Sequence, residues 1–157
     1  MSFVARLRPE LIRVAPAWRT FDETIAGLAG TLGAAGLLPP ALEVEATRAV
    51  QARESEASTA LLDIGVGVPH ARLAGVARPL VALAVSPAGF YEAVPTVPIR
   101  IVALVLSPPD SGKEHLRILS GIATLLRSAS LRTALVTARD GGEALASLRH
   151  HTRATPR

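Results

Sequence analysis

The side chains best suited to chemistry are two histidines, His70 and His115. Pro69-His70 ends the apolar run Leu61-Leu62-Asp63-Ile64-Gly65-Val66-Gly67-Val68, so an imidazole stands at the exposed end of a segment that reads as buried. A neutral imidazole offers one nitrogen lone pair near pH 7 and can serve as nucleophile or base. Pro69 fixes its own φ and has no N–H, while Gly65 and Gly67 let the main chain come close to a bound group or a neighbouring element. His115 falls at the start of a segment with helical periodicity, where backbone N–H groups point outward and favour an anion. Two imidazoles beside a helix start would cradle a phosphate, with backbone amides around Gly67 to His70 as further donors. On the residues alone each keeps an ordinary reading as well: His70 as a satisfied residue after a strand, and His115 as a side chain held by local hydrogen bonds.

The elements that must position them are legible from spacing. Thr20 and Glu23 have the spacing of a capping box, and Phe21, Ile25, Leu28 and Leu32 follow at helical intervals, which predicts a first helix ending near Gly33 to Gly36. Pro40 opens a second helix, with Leu42, Ala46, Ala49 and Val50 on one face, through about Glu56. Three runs rich in Val, Ile and Leu, at 61–68, 79–85 and 99–106, are continuous rather than alternating, as in strands covered on both faces. The stretch 86–98, with three prolines and one glycine, reads as an irregular connection or a poorly formed edge. Ser111 and Glu114 repeat the capping-box spacing before Leu116, Leu119, Ile122, Ala123 and Leu126, and two short helices follow at 130–138 and 142–148. Residues 150–157 read as a flexible tail. The expected fold is one α/β domain over 1–157, with its core over about 11–148: a three-layer α/β/α sandwich around a mixed, mostly parallel sheet. Ligand chemistry in such sheets gathers outside the carboxyl ends of the strands, where His70 falls.

Composition narrows the function. With 49% hydrophobic but only 3% aromatic residues, the core must be built from Leu, Val, Ile and Ala. The net charge of +4 raises nucleic acid as a partner. Against it, the arginines are scattered singly from Arg6 to Arg157 and few rings are present to stack bases, so the positive field suits phosphate or an acidic partner surface instead. The absence of cysteine excludes disulfides, zinc-thiolate sites and thiol nucleophiles. The first residues lack the apolar stretch of a signal peptide and no segment reaches the roughly 20 apolar residues of a spanning helix, so a cytoplasmic location is expected, with no membrane insertion. A metal-dependent hydrolase using His70 and His115 lacks a His-Glu-x-x-His pair and a third ligand at convincing spacing. No Gly-x-Ser-x-Gly is present, and His70 stands where the third glycine of a dinucleotide fingerprint would be.

The stretch from Arg53 to Arg72, Arg-Glu-Ser-Glu-Ala-Ser-Thr-Ala-Leu-Leu-Asp-Ile-Gly-Val-Gly-Val-Pro-His-Ala-Arg, resembles the signature of enzyme IIA domains of the mannitol/fructose type from the phosphoenolpyruvate-dependent sugar phosphotransferase system, a signature that nitrogen-regulatory relatives share. His115 to Leu126 resembles the second motif of that family, a His-Leu opening an amphipathic helix. The likeness runs from about Leu11 to Leu148. It departs over 89–98, where the acidic-Gly turn common in the family is replaced by Val94-Pro95-Thr96-Val97-Pro98, and in the opening 13–19.

The resemblance implies that His70 is phosphorylated by a phosphohistidine carrier of the HPr type and passes the group to an enzyme IIB domain, with Arg53 and His115 flanking it. Such a transfer needs a ring nitrogen in line with phosphorus and donors for the equatorial oxygens, and no metal or organic cofactor. Arg53 would supply a cation and His115 an N–H. Arg72, Thr59 and the amide of Gly67 are further candidates around the phosphate. Arg53 also has a plain alternative, serving the helix macrodipole or pairing with Glu54 or Glu56, and Thr59 doubles as a turn residue. A stand-alone regulator, whose His70 phosphorylation state is read by a kinase, transporter or transcription factor, is the second functional expectation.

Overall fold

Local chemistry sets the helix ends. The Thr20 hydroxyl accepts the Glu23 N–H at 3.0 Å and Glu23 Oε1 accepts the Arg19 N–H at 3.1 Å, so helix α1 (Phe21–Ala34) starts where the capping residues stand. Pro40 takes the first position of α2 (Pro40–Glu56), where its missing N–H costs nothing. In this computed structural model, which describes residues 2–154, two 3₁₀ turns (Phe3–Arg6 and Pro9–Leu11) and β1 (Ile12–Val14) precede those helices. After them come β2 (Ala60–Leu61), β3 (Val66–Gly67), β4 (His70–Arg72), β5 (Leu80–Val85), β6 (Tyr91–Val94), β7 (Val97–Ile99), β8 (Ile101–Ser107), α3 (Gly112–Leu125), α4 (Ala129–Val136) and α5 (Gly141–Ala154).

The main sheet has the order β1-β5-β8-β3-β2, with β4 also paired to β8. It is mixed: β1 with β5, β3 with β8 and β4 with β8 run parallel, while the long β5/β8 ladder and the β2/β3 pair run antiparallel. Every residue of β5 and β8 is buried, as expected for strands covered on both faces. The helices α1 and α2 pack on each other and against β5, β8 and β4, and α3, α4 and α5 pack against β8 and β1. The fold is thus an α/β sandwich whose core is aliphatic, with Phe90 its largest fully buried side chain. Among the described residues no helix is long and apolar enough to cross a membrane.

Four expectations change. The run 61–68 is not one strand. Gly65, at φ +66°, turns the chain back between β2 and β3, and Pro69 then leaves a gap in the ladder because it has no N–H to give. The segment 86–98 is more regular than its prolines suggest: β6 and β7 form a two-stranded hairpin in which Pro98 pairs with Glu92, and Thr96 takes the left-handed region at φ +70° in the turn. A hairpin with free edges has room for a residue that cannot donate. The capping box expected at Ser111 does not form, since that side chain makes no cap bond and Glu114 pairs with Arg6 instead. Finally, α5 continues through His150 and His151 to Ala154, so the first five residues of the expected tail are helical and 155–157 lie outside the described residues.

Two helical glycines, Gly141 at the first position of α5 and Gly121 inside α3, should respond oppositely to alanine. At Gly141 an added Cβ would meet the Pro9 carbonyl oxygen at 2.2 Å and that of Ile12 at 2.9 Å, backbone atoms that cannot step aside. Gly141→Ala should lower stability by about 1–3 kcal/mol. Gly121, inside α3, has nothing nearer than Phe3 Cδ1 at 3.8 Å, and Gly121→Ala should raise stability by about 0.5–1 kcal/mol. Urea unfolding of both variants against the parent checks the pair.

Candidate functional site

Parallel pairing assembles the site. In the register of β4 on β8, His70 lies opposite Val105, Ala71 opposite Leu106 and Arg72 opposite Ser107, so both strands end on the same side of the sheet. After Ser107 the chain turns through Pro108, Pro109 and Asp110 and enters α3, whose first turn carries His115 back over the strand ends. The two imidazoles that are far apart in sequence meet there, with ring centroids 5.3 Å apart and planes inclined at 60°.

Their surroundings differ. His70 is half-buried, and its Nδ1 donates to the Val68 carbonyl at 2.8 Å. A carbonyl only accepts, so Nδ1 holds the proton and, in the neutral ring, Nε2 keeps the lone pair. Carbonyls alternate along a strand, so while the Pro69 carbonyl accepts the Val105 N–H of β8 at 3.0 Å, the Val68 carbonyl faces the other edge and is left to the ring two residues on. His115 is buried, with Nδ1 2.6 Å from Ser107 Oγ. Burial, and then the neighbouring His70 ring and Arg72 guanidinium, push its pKa down to about 4.

Arg72, on β4, is held against the start of α3. Its Nη1 donates to the carbonyls of Pro108 and Pro109, each at 3.0 Å, and its Nη2 lies close over Gly112, where a Cβ would meet it at 3.3 Å. A guanidinium and a helix N-terminus thus stand on the side of the site that carries His115, two features that attract an anion.

The other expected residues are placed differently. Arg53 Nη1 donates to the Ala57 carbonyl at 3.1 Å, at the end of α2, and among the described residues it pairs with neither Glu54 nor Glu56. Among the described residues it makes no hydrogen bond to His70 or His115, although α2 packs against β4. Thr59 gives both its N–H and its hydroxyl to the Glu54 carboxylate, closing the turn between α2 and β2. Gly67 lies inside the sheet between β2 and β8. Its lack of a side chain admits the Tyr91 hydroxyl, which an added Cβ would meet at 2.2 Å. Burial first, and the Glu54 charge second, raise the Tyr91 pKa and keep that phenol protonated. Among the described residues no three His, Asp or Glu side chains cluster so as to hold a metal ion.

Two partners escaped the sequence reading. Ser107 was not among its candidates, although a polar residue closing an unbroken apolar strand was a visible signal. The Val68 carbonyl had none, because main-chain direction is not written in residue type.

A buried imidazole in the first turn of a helix beside a half-exposed one that opens a short parallel strand, not at a strand's carboxyl end as expected, defines a class of small α/β-sandwich domains with a histidine poised at a strand start. Comparison with known proteins gives the family. The chain belongs to the family described as phosphoenolpyruvate-dependent sugar phosphotransferase system, EIIA 2, whose model matches residues 6–151. It is 36% identical over 87 residues to the fructose-specific EIIA component of Haloferax volcanii, covering 55% of this chain and 56% of that one. It is 33% identical over 91 residues to the fructose-specific EIIABC component of Bacillus subtilis, covering 57% of this chain and 14% of that protein. The chain thus spans only part of the length of these relatives. Among solved structures it resembles the nitrogen regulatory protein IIA-Ntr of Neisseria meningitidis, with TM-score 0.77 and 26% identity over 93% of this chain and 98% of that one. The mannitol IIA of Escherichia coli shares the fold, with TM-score 0.73 and 22% identity over 90% of this chain and 98% of the other.

The lowered pKa of His115 has a consequence for stability. In the unfolded chain the ring takes up its proton near pH 6.5, whereas in the folded chain it does so only near 4, so between these values the unfolded state binds more protons. Its contribution is complete above about pH 6.5 and is lost as pH falls toward 4. Urea unfolding between pH 7 and 4 should show that loss, and His115→Asn should flatten it. In NMR titration the His115 ring signal should move only near the low end of the range.

Proposed function

We propose that this chain is a phosphoryl carrier of the sugar phosphotransferase system, in which His70 Nε2 accepts a phosphoryl group from a phosphohistidine donor of the HPr type and passes it to an enzyme IIB domain. The observation that carries the reading is the Val68 carbonyl on His70 Nδ1, which leaves Nε2 as the nucleophilic atom of a half-exposed ring beside His115. As the new Nε2–phosphorus bond forms, the bond from phosphorus to the donor ring breaks and its electron pair returns to the donor nitrogen. No proton has to leave His70. The positive charge that the ring gains is shared through Nδ1–H with the Val68 carbonyl, and the onward step releases the neutral ring as a good leaving group. An N–H of His115 and the Arg72 guanidinium are the donors proposed for the equatorial oxygens, and Arg53, at the end of α2, is the further cation that the family resemblance suggests.

Membership of the EIIA family and the fructose-specific names of the relatives support the transferase reading. The IIB partner is supported by a structure of E. coli mannitol IIA in complex with phosphorylated mannitol IIB, to which this chain has TM-score 0.74 and 21% identity over 96% of its length.

Incubation with a phosphorylated HPr-like carrier should give an acid-labile, base-stable adduct on the wild type and none on His70→Ala. NMR should place the phosphorus on Nε2. His115→Ala should slow transfer by about 100-fold or more, the loss typical of one transition-state donor. A wild type left unmodified by several cognate donors, or a phosphorus on Nδ1, overturns the reading.

The likeness to a nitrogen regulatory protein favours a second use of the same chemistry, with the phosphorylation state as a signal to a partner protein. Affinity capture with phosphorylated wild type and with His70→Ala should then return different partners. Identical partner sets remove the case for a switch.

A further inference from the structure

The carrier reading requires an N–H on the second imidazole, and it does not say which ring nitrogen bears the proton or why. Ser107 ends β8 with no exposed surface, and its backbone is pinned twice, by pairing with Arg72 and by its carbonyl accepting the Leu73 N–H at 2.9 Å. Its hydroxyl has a single hydrogen-bond partner among the described residues, His115 Nδ1 at 2.6 Å. A hydroxyl carries one proton and two lone pairs. If Ser107 accepted from an Nδ1–H, its own buried proton would face no acceptor and would bear the full desolvation penalty, whereas a spare lone pair on oxygen is tolerated. The hydroxyl proton therefore points at the ring, and a neutral ring receiving it on Nδ1 carries its hydrogen on Nε2.

We infer that Ser107 is a positioning residue for phosphoryl transfer: its buried hydroxyl donates to His115 Nδ1 and so holds His115 as the Nε2–H tautomer, presenting an N–H to the phosphoryl oxygens on His70. The inference rests on the carrier reading for its purpose and on the Ser107–His115 contact for its content. Both ends of that contact are fixed by the fold, Ser107 by the ladder and His115 by its backbone N–H, which donates to the Ser111 carbonyl at 2.9 Å in the first turn of α3. Burial keeps the His115 ring neutral, so the tautomer is a choice the protein must make. The two imidazoles take opposite assignments. On His70 a carbonyl accepts from Nδ1–H and frees the Nε2 lone pair to attack; on His115 a hydroxyl donates to Nδ1 and leaves an Nε2–H to stabilise charge.

Long-range ¹H–¹⁵N spectra of the full chain with ¹⁵N-labelled histidine at pH 7 read the tautomer directly. The expected result is Nε2–H for His115 in the wild type and a mixture or the Nδ1–H form in Ser107→Ala. Transfer from a phosphorylated HPr-like carrier should slow by about tenfold or more in Ser107→Ala, with His70 still the residue modified, and recover in Ser107→Thr. An Nδ1–H tautomer in the wild type overturns the inference, as does a Ser107→Ala protein with the wild-type tautomer and rate. Should Ser107→Ala fail to fold, the wild-type spectrum alone decides. A wild type that takes no phosphoryl group overturns the carrier reading instead, and leaves the tautomer assignment standing on its own spectrum.

Discussion

The parallel ladder in which His70, Ala71 and Arg72 lie beside Val105, Leu106 and Ser107 joins the two halves of the site. On its β4 side it carries the half-exposed imidazole and a guanidinium. On its β8 side it carries the serine that meets the second imidazole, and it sets where α3 begins. A shift of one residue would turn every side chain of β4 to the opposite face, separating His70 from His115 and burying Arg72. The register is well protected, since β8 is buried along its whole length and is held on its other edge by the six-residue pairing with β5.

Within that frame the chemistry depends on environments that differ over a few ångströms. His70 keeps partial access to solvent, which the proposed exchange with two protein partners requires. His115, one ring away, is buried, and its lowered pKa follows from that burial more than from the neighbouring His70 and Arg72. For the transfer proposed above a neutral donor suits this place, because the phosphorylated His70 ring would itself carry positive charge. Arg72 is a compromise, bound to the Pro108 and Pro109 carbonyls and thus fixed at the start of α3 while its far edge stays exposed.

Proline and glycine do much of the local work. Gly65 turns the chain between β2 and β3, Gly67 admits the Tyr91 hydroxyl, and Pro69, which gives no N–H, leaves a one-bond gap between β3 and β4 while its carbonyl still accepts the Val105 N–H. The same residues made the run 61–68 hard to read. Its continuous hydrophobicity reflects burial of the whole segment, which a turn between two short strands and one longer strand satisfy equally well. The stretch 86–98 misled in the opposite direction, because prolines that would break a central strand are harmless in a hairpin with free edges.

Helical periodicity, caps and Pro40 were sufficient to place α1 and α2 to within a residue or two, and the β5 and β8 strands stood out as unbroken apolar runs, because these signals are local and each is set by neighbours within a turn or a strand. His70 and His115 were legible as candidates for the same reason, each at the end of an element. Their meeting was not legible. It comes from strand order and register, which place residues far apart in the chain side by side, and only that placement sets the ring-to-ring distance, the burial of His115 and its partner Ser107. Tertiary structure likewise gave Arg53 the Ala57 carbonyl and Thr59 the Glu54 carboxylate, since which donor reaches which acceptor depends on the direction of the backbone after the helix ends and not on residue type.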